Sequence, residues 1–430
     1  MARREPAVKI AIIGSGIAGN VAARRLHREH EITVYEANGH VGGHSHTHTV
    51  VQAGRPFEVD TGFIVFNEWT YPHFSALLAE LGVASQPTTM SFSVRNDLTG
   101  LEYNGTTLNT LFAQRRNIVR PSFLAMVRDI LRFNREAPRL LGTGIGEQPL
   151  GELLRARRYS RPFVDDYIIP MGAAIWSTNP RSMFSFPARF FVRFLMNHGM
   201  LSINDRPEWR TIAGGSARYV EKLTAPFRDR IRLRTPVESI RRQPGSVFVK
   251  ARGQEAQRYD AVFLACHSDQ ALQLLADPTL AEREVLAAIP YQRNEAVLHT
   301  DTRLMPRRRL AWACWNYHSL PDNAGPLALT YNMNMLQNLD APETLLVTLN
   351  RSDVIDPARV ILRATYHHPV FTPGSVAAQA RHREINGVQG TYFCGAWWRN
   401  GFHEDGVVSA LDAVAHFEQD HAQRAVHRTA

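Results

Sequence analysis

The feature that most constrains this chain lies near its start. The apolar run "VKIAII" at residues 8–13 is followed by "GSGIAGNVAARRLHRE" and then by "EITVYEA". This order predicts a buried strand, a glycine turn, a helix and a second strand. Gly14 permits the tight turn, Gly16 lets the backbone approach a pyrophosphate, and Gly19 lets the helix pack closely on the strand. Because the first turn of such a helix has free N–H groups, the sequence predicts an α/β unit that binds a dinucleotide.

A carboxylate and a second pair of glycines follow the second strand. Glu36 stands about twenty residues after Gly16, where a carboxylate binds the two hydroxyls of a ribose. The stretch "ANGHVGGHSHT" then places Gly42 and Gly43 near the adenosine end of this site. Such a loop lets backbone N–H groups reach a longer cofactor made of two nucleotides. The sequence therefore favours FAD over NAD.

The same stretch contains four histidines, His40, His44, His46 and His48. Alternation along a strand would put the last three on one face, where imidazoles can bind a transition metal. No cysteine or carboxylate motif completes such a site. We therefore predict no metal centre and take the glycines as the main signal of the stretch.

The rest of the chain alternates between blocks of helical and strand patterns. Residues 181–201, rich in Phe and Met, form either a core helix or a wall of an apolar cavity. "GTGIGE" at 142–147 follows a helix with no strand before it, which indicates a linker. Ser216 is a predicted helix cap, and a last helix is predicted to begin near Asp405.

These blocks predict an α/β fold. It consists of a Rossmann-like FAD-binding domain, interleaved with an α+β substrate-binding domain. The FAD-binding domain is discontinuous and comprises residues 1–72, 205–290 and 385–430. The substrate-binding domain comprises residues 73–204 and 291–384.

Composition limits the classes of partner. The net charge of +9 comes mostly from arginine, which suits nucleic acid or an anionic membrane surface as well as a simply solvated surface. No nucleic-acid-binding motif accompanies the charge, so we expect no nucleic-acid partner. Cys266, Cys314 and Cys394 are too few and too widely spaced for a disulfide framework, which favours a reducing compartment. With no signal peptide and no run of ~18 apolar residues, we expect a cytoplasmic protein.

The motifs together resemble a known family. "GSGIAG", Glu36, the paired glycines, "AGGS", "TPVESI", "YDAVFLAC" and "FCGAW" run in the order typical of flavin amine-oxidase-like proteins, which include amine oxidases and phytoene desaturases. "VGGHSHT", "PMGAAIWS", "LMPRRRLAWACWN" and "GFHEDG" are similar to one branch, FAD-dependent oxidoreductases associated with cyclopropane or branched fatty-acid synthesis. The N-terminal domain of plant cyclopropane fatty-acid synthases resembles the same branch.

The resemblance implies a set of FAD-binding positions. Those near the adenosine and the pyrophosphate would be Gly14, Ser15, Gly16, Gly19, Glu36, Gly43, His44 and Val237. Those near the flavin ring would be Thr61, Gly62, Phe63, Gly395, Glu404, Asp405, Gly406 and Val407. Many relatives carry an arginine where His44 stands, so the role of this histidine is left open.

The resemblance also implies an activity. We expect an FAD-dependent oxidoreductase that desaturates an acyl chain of a fatty acid or phospholipid. A flavin amine oxidase, a carotenoid-type desaturase, a redox-neutral isomerase and a non-catalytic FAD-bearing partner of a lipid methyltransferase are the alternatives. His403 is the first candidate for a catalytic base, and Tyr331 and Asn334 are candidates for the pocket, as is Trp176. His198 and His299 are predicted to be structural. Contact with an anionic membrane at its inner face is a further expectation.

Overall fold

The structure is a computed structural model that describes residues 7–142, 148–202, 204–320 and 327–429, with side chains described as far as residue 423. Strands and helices are numbered in chain order. The predicted linker at 142–147 falls, apart from Gly142, outside the described residues.

A parallel sheet organises the nucleotide-binding motif. Within the described residues its strands are, in spatial order, β10 (Ile231–Arg232), β2 (Glu31–Tyr35), β1 (Lys9–Ile13), β14 (Ala261–Leu264) and β20 (Thr391–Phe393). Every neighbouring pair is parallel. Because parallel strands need crossover connections, segments distant in sequence meet at one edge of this sheet.

Both faces of the parallel sheet are covered. One face packs on α1 (Ile17–Leu26), α9 (Ala217–Thr224) and α15 (His403–Thr429). The other packs on an antiparallel sheet of β11 (Val237–Gln243), β12 (Ser246–Ala251) and β13 (Gln257–Tyr259), with α10 (Ser268–Leu274) and α11 (Leu280–Ala287). Ile10 and Ile12 of β1 are buried toward the first group, and Ala11 and Ile13 toward the second. A strand buried on both faces needs a continuous apolar run, as β1 has.

A larger mixed sheet forms the second part of the molecule. Its spatial order is β19 (Val360–Pro369), β15 (Tyr291–His299), β18 (Leu346–Leu349), β17 (Leu329–Asn332), β16 (Trp315–Ser319), β7 (Phe92–Asn96) and β8 (Leu101–Asn104) in the described residues. The helices near it are α3 (Leu108–Leu111), α4 (Pro121–Leu140), α5 (Leu150–Ala156), α6 (Arg161–Phe163), α7 (Ile169–Trp176) and α8 (Ala188–Asn197), with a π-helical turn at Val164–Ile168. Side chains of this sheet and of α4 to α8 share one apolar core.

Smaller elements join the two parts. β3 (Thr47–Gln52) pairs with β4 (Arg55–Asp60), and β9 (Trp209–Ile212) pairs with both β5 (Val65–Asn67) and β6 (Ser85–Pro87). The remaining helices are α2 (Pro72–Leu81), α12 (Met333–Leu336), α13 (Pro373–Gln379) and α14 (His382–Ile385). None of the described helices combines the length and apolar character that a membrane span requires.

The predicted α/β fold class is confirmed, whereas some local predictions need correction. Residues 73–204 contain β6 to β8 among the helices, which agrees with the predicted α+β character of this part. The segment 181–201 is interrupted at Pro187, and α8 covers only part of it. Ser216 precedes α9 but does not cap it, since its hydroxyl donates to Asp60 Oδ1 at 2.7 Å. The last helix is confirmed near the predicted place and begins at His403. The proposed domain boundaries stay a prediction.

Candidate active site

The glycine turn after β1 is shaped by close backbone contacts. Gly14 has φ +104°, and a Cβ there would lie 2.7 Å from the carbonyl oxygen of Ala265. A Cβ on Gly19 would overlap the carbonyl oxygen of Gly14, so α1 packs against β1 only because residue 19 has no side chain. Gly16 differs from both, because a Cβ there would meet no atom within 4 Å. The turn is therefore closely packed at Gly14 and Gly19. It has free space at Gly16, beside the first residue of α1.

Glu36 is held rigidly at the end of β2. It is only 6% exposed, and its Oε2 accepts hydrogen bonds from the backbone N–H of Ser15 at 3.0 Å and from its hydroxyl at 2.6 Å. Oε1 accepts from the backbone and side-chain N–H groups of Asn38 at 2.8 and 2.9 Å. These bonds tie the carboxylate to the glycine turn. The Ser15 hydroxyl and the Asn38 amide are the side chains that would have to turn if ribose hydroxyls bind there.

The second glycine loop lies against the first. Gly42 donates its N–H to the carbonyl of Ser15 at 2.9 Å, and Gly43, with φ +59°, would place a Cβ 3.1 Å from the Cα of Gly16. A side chain at residue 43 would thus be strained and would press on the open side of the turn.

One cavity of about 930 Å³ joins the glycine loops to the second part of the molecule. We call two sections of its wall the nucleotide part and the apolar part. The nucleotide part consists of Gly14, Ser15, Gly16, Glu36, Gly43 and Val237. The apolar part consists of Ile175, Trp176, Phe194, Met200, Trp315 and Tyr331. The first six come mainly from the parallel sheet and its turns, and the second six from or beside α7, α8 and the mixed sheet.

Comparison with known proteins decides the family. Residues 17–322 match the model of the family of flavin containing amine oxidoreductases, which is more than half of the chain. The chain belongs to this family. It is therefore an FAD-dependent oxidoreductase.

Individual proteins share part of the sequence or the fold with this chain. A stretch of 82 residues is 40% identical to a protein of Mycobacterium tuberculosis named as a flavin-containing monoamine oxidase, AofH, and covers 19% of this chain and 17% of that one. Cyclohexylamine oxidase from Brevibacterium oxydans shares the fold with a TM-score of 0.71 at 16% identity over 96% of this chain and 99% of that one. A CLA-producing fatty acid isomerase from P. acnes also shares the fold. Its TM-score is 0.63 at 17% identity, over 95% of this chain and 98% of that one.

The nucleotide part fits FAD. The open space at Gly16, the N–H groups at the start of α1 and the buried carboxylate of Glu36 are the groups that a pyrophosphate and a ribose require. Gly14, Ser15, Gly16, Glu36, Gly43, His44, Gly62, Phe63, Val237 and Gly395 all line the cavity, as predicted FAD positions should. The contact of each of these residues with FAD remains a prediction.

Other predicted FAD positions lie behind the wall. Gly19 acts through helix packing, and Thr61 is buried with its hydroxyl 2.6 Å from the hydroxyl of Tyr366. Neither lines the cavity. Thr61 instead belongs to a network that fixes the segment before Gly62, where Asp60 accepts hydrogen bonds from Ser216. The predicted position of Thr61 near the flavin ring stays a prediction.

The predicted FAD positions at the start of α15 have structural partners. The Glu404 carboxylate accepts from the backbone N–H groups of His73 at 3.0 Å and Phe74 at 2.8 Å, and thus caps α2. Asp405 accepts from the N–H of Phe402 at 2.8 Å, and Val407 belongs to the core beside the parallel sheet. A Cβ on Gly406 would lie 2.6 Å from Cγ2 of Ile17, so this glycine allows α15 to approach α1. The side chains of these four residues thus support the site from behind the described wall, and their predicted contacts with FAD stay predictions.

The three predicted catalytic residues have different surroundings. His403 lines the cavity, but its ring stacks on Phe63 at 3.7 Å and its Nε2 lies 2.7 Å from the hydroxyl of Tyr219. Burial is the main cause that lowers the pKa of His403 to about 3. Tyr331 lines the apolar part, and burial raises the pKa of its hydroxyl far above the usual value. Asn334 does not line the cavity, since its amide bonds to the backbone of Ala341 and Leu345. Its predicted pocket role is corrected to a structural one.

Three of the four histidines of the opening stretch lie ring against ring, and His44 lies apart from them. The ring of His46 lies 3.9 Å from that of His40 and 4.0 Å from that of His48. No group of three or more possible metal ligands occurs in the part of the chain that the structure describes. Burial, with His267 and His367 nearby, lowers the pKa of His44 to about 4. A neutral imidazole does not supply the positive charge of the arginine found in relatives.

Sequence reasoning missed several residues on the cavity wall. His267, His367 and His368 lie there, and Nδ1 of His368 accepts a hydrogen bond from the side-chain N–H of Asn294 at 2.9 Å. Trp315 packs edge to face on Tyr331 with ring centres 5.1 Å apart. Trp315 lies within "LMPRRRLAWACWN", but nothing in that stretch marks it as a wall residue. His367 and His368 come from β19 and His267 from the residue before α10, so only the fold brings these residues to one wall. His198 also lines the cavity, while Trp176 donates its Nε1–H to the carbonyl of Asn400 at 3.1 Å.

Proposed function

We propose that this flavoprotein oxidises an acyl chain of a fatty acid or phospholipid, introducing a double bond or modifying a branched chain. The observation that carries the proposal is the apolar part of the cavity, which is continuous with the site that fits FAD. The resemblance to the branch associated with cyclopropane and branched fatty acids supports the same substrate class. The fatty acid isomerase among proteins of the same fold supports it further.

Charge on the wall favours an acyl chain over an ammonium group. Among the described residues, Glu36 is the only carboxylate that lines the cavity, and it belongs to the nucleotide part. Arg363 is the only guanidinium on the described wall, and it pairs with Glu295 at 3.0 Å. A cationic substrate would find no anionic partner beside Trp176 and Tyr331. An aliphatic chain would replace water against aromatic and aliphatic side chains, which is favourable.

The chain's own residues would bind, orient and dehydrate the substrate. FAD, when bound, supplies the capacity to accept a hydride from carbon. Trp176, Phe194, Trp315 and Tyr331 would hold the acyl chain and exclude water from the reacting carbon. His403 stays the candidate for a base, held in place by Phe63 and by the hydroxyl of Tyr219.

An amine oxidase is the second candidate. The family description and the named monoamine oxidase relative favour it, and the edge-to-face pair of Trp315 and Tyr331 supplies aromatic faces that suit an amine. A carotenoid-type desaturase would use the same apolar wall. A redox-neutral isomerase would be recognised by a product isomeric with its substrate.

Partners and location are part of the proposal. We propose a cytoplasmic protein that contacts the inner face of an anionic membrane and works with a lipid methyltransferase. In a non-catalytic version of this idea, the FAD-bearing chain serves only as a scaffold for that methyltransferase.

A comparison of cellular lipids tests the proposal. Mass spectrometry of lipids from wild-type and deletion cells should show the loss of one double bond, methyl branch or ring, restored by the wild-type gene. The variant Met200→Glu, which charges the apolar part, should not restore it, whereas Met196→Glu, on the exposed side of α8, should. Unchanged lipids would contradict an acyl-chain substrate. Restoration by Met200→Glu would instead indicate the scaffold.

A further inference from the structure

Two segments remote from the cavity form a surface that is both basic and apolar. It consists of the exposed side chains Leu108, Arg115, Arg116, Ile118, Val119, Arg307, Arg308, Arg309 and Leu310, and we call it the basic-apolar surface. α3 packs against the short turn Arg309–Ala311, and a cavity of about 340 Å³ is lined by Arg116, Arg307 and Arg308 together. The two segments therefore belong to one face of the molecule.

The aliphatic side chains of this surface are unusually exposed. Leu108 is 76% exposed, Val119 78% and Ile118 52%. Ile118 and Val119 are adjacent in "RRNIVR", so arginines stand on both sides of the apolar pair. An apolar tip flanked by cations is the pattern of a segment that enters the interface of a bilayer.

The acidic residues nearby do not neutralise the arginines. Glu102 is buried and accepts hydrogen bonds from the backbone N–H groups of Arg307 at 2.9 Å and Arg308 at 3.0 Å. Asp97 pairs with Arg95 at 2.9 Å and with His318 at 2.6 Å. Glu102 thus binds the backbone of Arg307 and Arg308 and makes no hydrogen bond to their guanidinium groups.

The arginines of this surface also form no ion pair with a carboxylate elsewhere among the described residues. Arg115 bonds to the backbone of Asn109 and Phe112, and Arg116 bonds to the carbonyl of Gly100 at 3.1 Å. Arg309 lies over the ring of Trp312 at 4.2 Å. No ion pair to Arg115, Arg116, Arg307, Arg308 or Arg309 occurs within residues 7–142, 148–202, 204–320 and 327–423. They are available to phosphate groups, which guanidinium binds well.

We propose that the basic-apolar surface docks this protein on a bilayer that contains anionic phospholipid. The arginines bind lipid phosphates, and Leu108, Ile118, Val119 and Leu310 enter the boundary between head groups and acyl chains. A nucleic acid would use the arginines but would gain nothing from the aliphatic pair. The inference gives a place on the molecule to the membrane contact of the proposed function, but its test does not depend on catalysis.

Sedimentation with vesicles tests the proposal on the full FAD-loaded chain. Vesicles of phosphatidylcholine with phosphatidylglycerol should bind the protein, and vesicles of phosphatidylcholine alone should bind it at least tenfold more weakly. Arg307→Gln with Arg308→Gln, and separately Ile118→Ser with Val119→Ser, should each weaken binding to the anionic vesicles about tenfold. The flavin absorbance of each variant reports that it is folded.

Matched variants on other surfaces serve as controls. Arg241→Gln with Arg258→Gln removes two exposed arginines from β11 and β13, and Val51→Ser with Leu280→Ser removes two exposed aliphatic side chains. Both controls should bind vesicles as the wild type does. Equal losses in controls and test variants, or no binding to anionic vesicles, would overturn the proposal. Binding to single-stranded RNA that depends on Arg307 and Arg308 but not on Ile118 and Val119, without vesicle binding, would also overturn it.

Discussion

The nucleotide part and the apolar part of the cavity are built by different means. The nucleotide part relies on backbone and on missing side chains, including that of Gly19 behind the wall, where a Cβ has no room beside Gly14. The apolar part relies on large side chains such as Trp176 and Phe194, whose rings lie 4.7 Å apart. Backbone geometry suits the binding of a cofactor whose chemical structure is constant. Side chains can be exchanged without altering the fold, so we propose that the apolar part determines substrate choice.

Gly19 and Gly16 give the largest expected difference. Gly19→Ala forces a Cβ into the Gly14 carbonyl and should cost about 3 kcal/mol of unfolding free energy or more, with little folded protein recovered. Gly16→Ala meets no atom and should fold with a similar melting temperature, while retaining FAD less well. Thermal unfolding and flavin content measure both. Equal melting temperatures for the two variants would contradict the close packing of α1 on β1.

Met200→Glu separates the two parts of the cavity by function. A carboxylate among Trp176, Phe194 and Tyr331 should weaken binding of an acyl chain roughly 100-fold, because it has no partner there. FAD content should stay unchanged, since Met200 does not belong to the nucleotide part. Substrate titrations and flavin absorbance check this result. Met196→Glu, 43% exposed and absent from the wall, is the control. If both variants bind the acyl chain equally, Met200 does not face the substrate.

Glu36→Gln should affect the cofactor and not the substrate site. Loss of the charge that organises Ser15 and Asn38 should weaken FAD binding roughly 10- to 100-fold, as expected for a charged hydrogen-bonding group. Equilibrium dialysis with FAD measures this change. Glu31→Gln, at the exposed start of the same strand, is the matched control and should behave as the wild type. Unaltered FAD affinity in Glu36→Gln would exclude a ribose contact.

The cavity's histidines predict a moderate effect of pH on stability. Burial lowers the pKa of His44, His46, His198 and His267 to about 4, and that of His368 and His403 to about 3. The unfolded chain binds these protons near pH 6.5, and the folded chain does not, so stability should fall as the pH drops from about 6.5 to 4. Each histidine contributes at most about 1.4 kcal/mol per pH unit.

Two buried carboxyls oppose this trend. Burial raises the pKa of Asp60 and Asp405 to about 6, so the folded chain holds their protons between about pH 4 and 6 and gains stability there on acidification. Six histidines outweigh two carboxyls. Melting temperatures should therefore decrease from pH 7 to pH 5, less steeply in His44→Asn. A constant melting temperature over this range would contradict neutral buried imidazoles.

Sequence predicted the nucleotide part well because its determinants are local. Gly14, Gly16, Gly19 and Glu36 lie within one strand–helix–strand unit, where spacing along the chain fixes spacing in space. Glu404 shows where this reasoning ends, since its partners on α2 lie 330 and 331 residues away. Tyr331 is a predicted pocket residue that lines the cavity, whereas Trp315 joins it on the wall only through the pairing of β16 with β17. Apolar residues in such strands have the same pattern whether they line a cavity or fill a core.

Ligand binding to the flavin-loaded protein tests the central claim most directly. The absorbance of the bound flavin should be recorded without oxygen during titration with a long-chain fatty acid and, separately, with the alkylamine of the same carbon number. The account predicts that the fatty acid perturbs or bleaches the flavin absorbance at lower concentration than the amine, and that Met200→Glu removes this preference. Bleaching by the amine alone, unaffected by Met200→Glu, would contradict an acyl-chain site next to FAD.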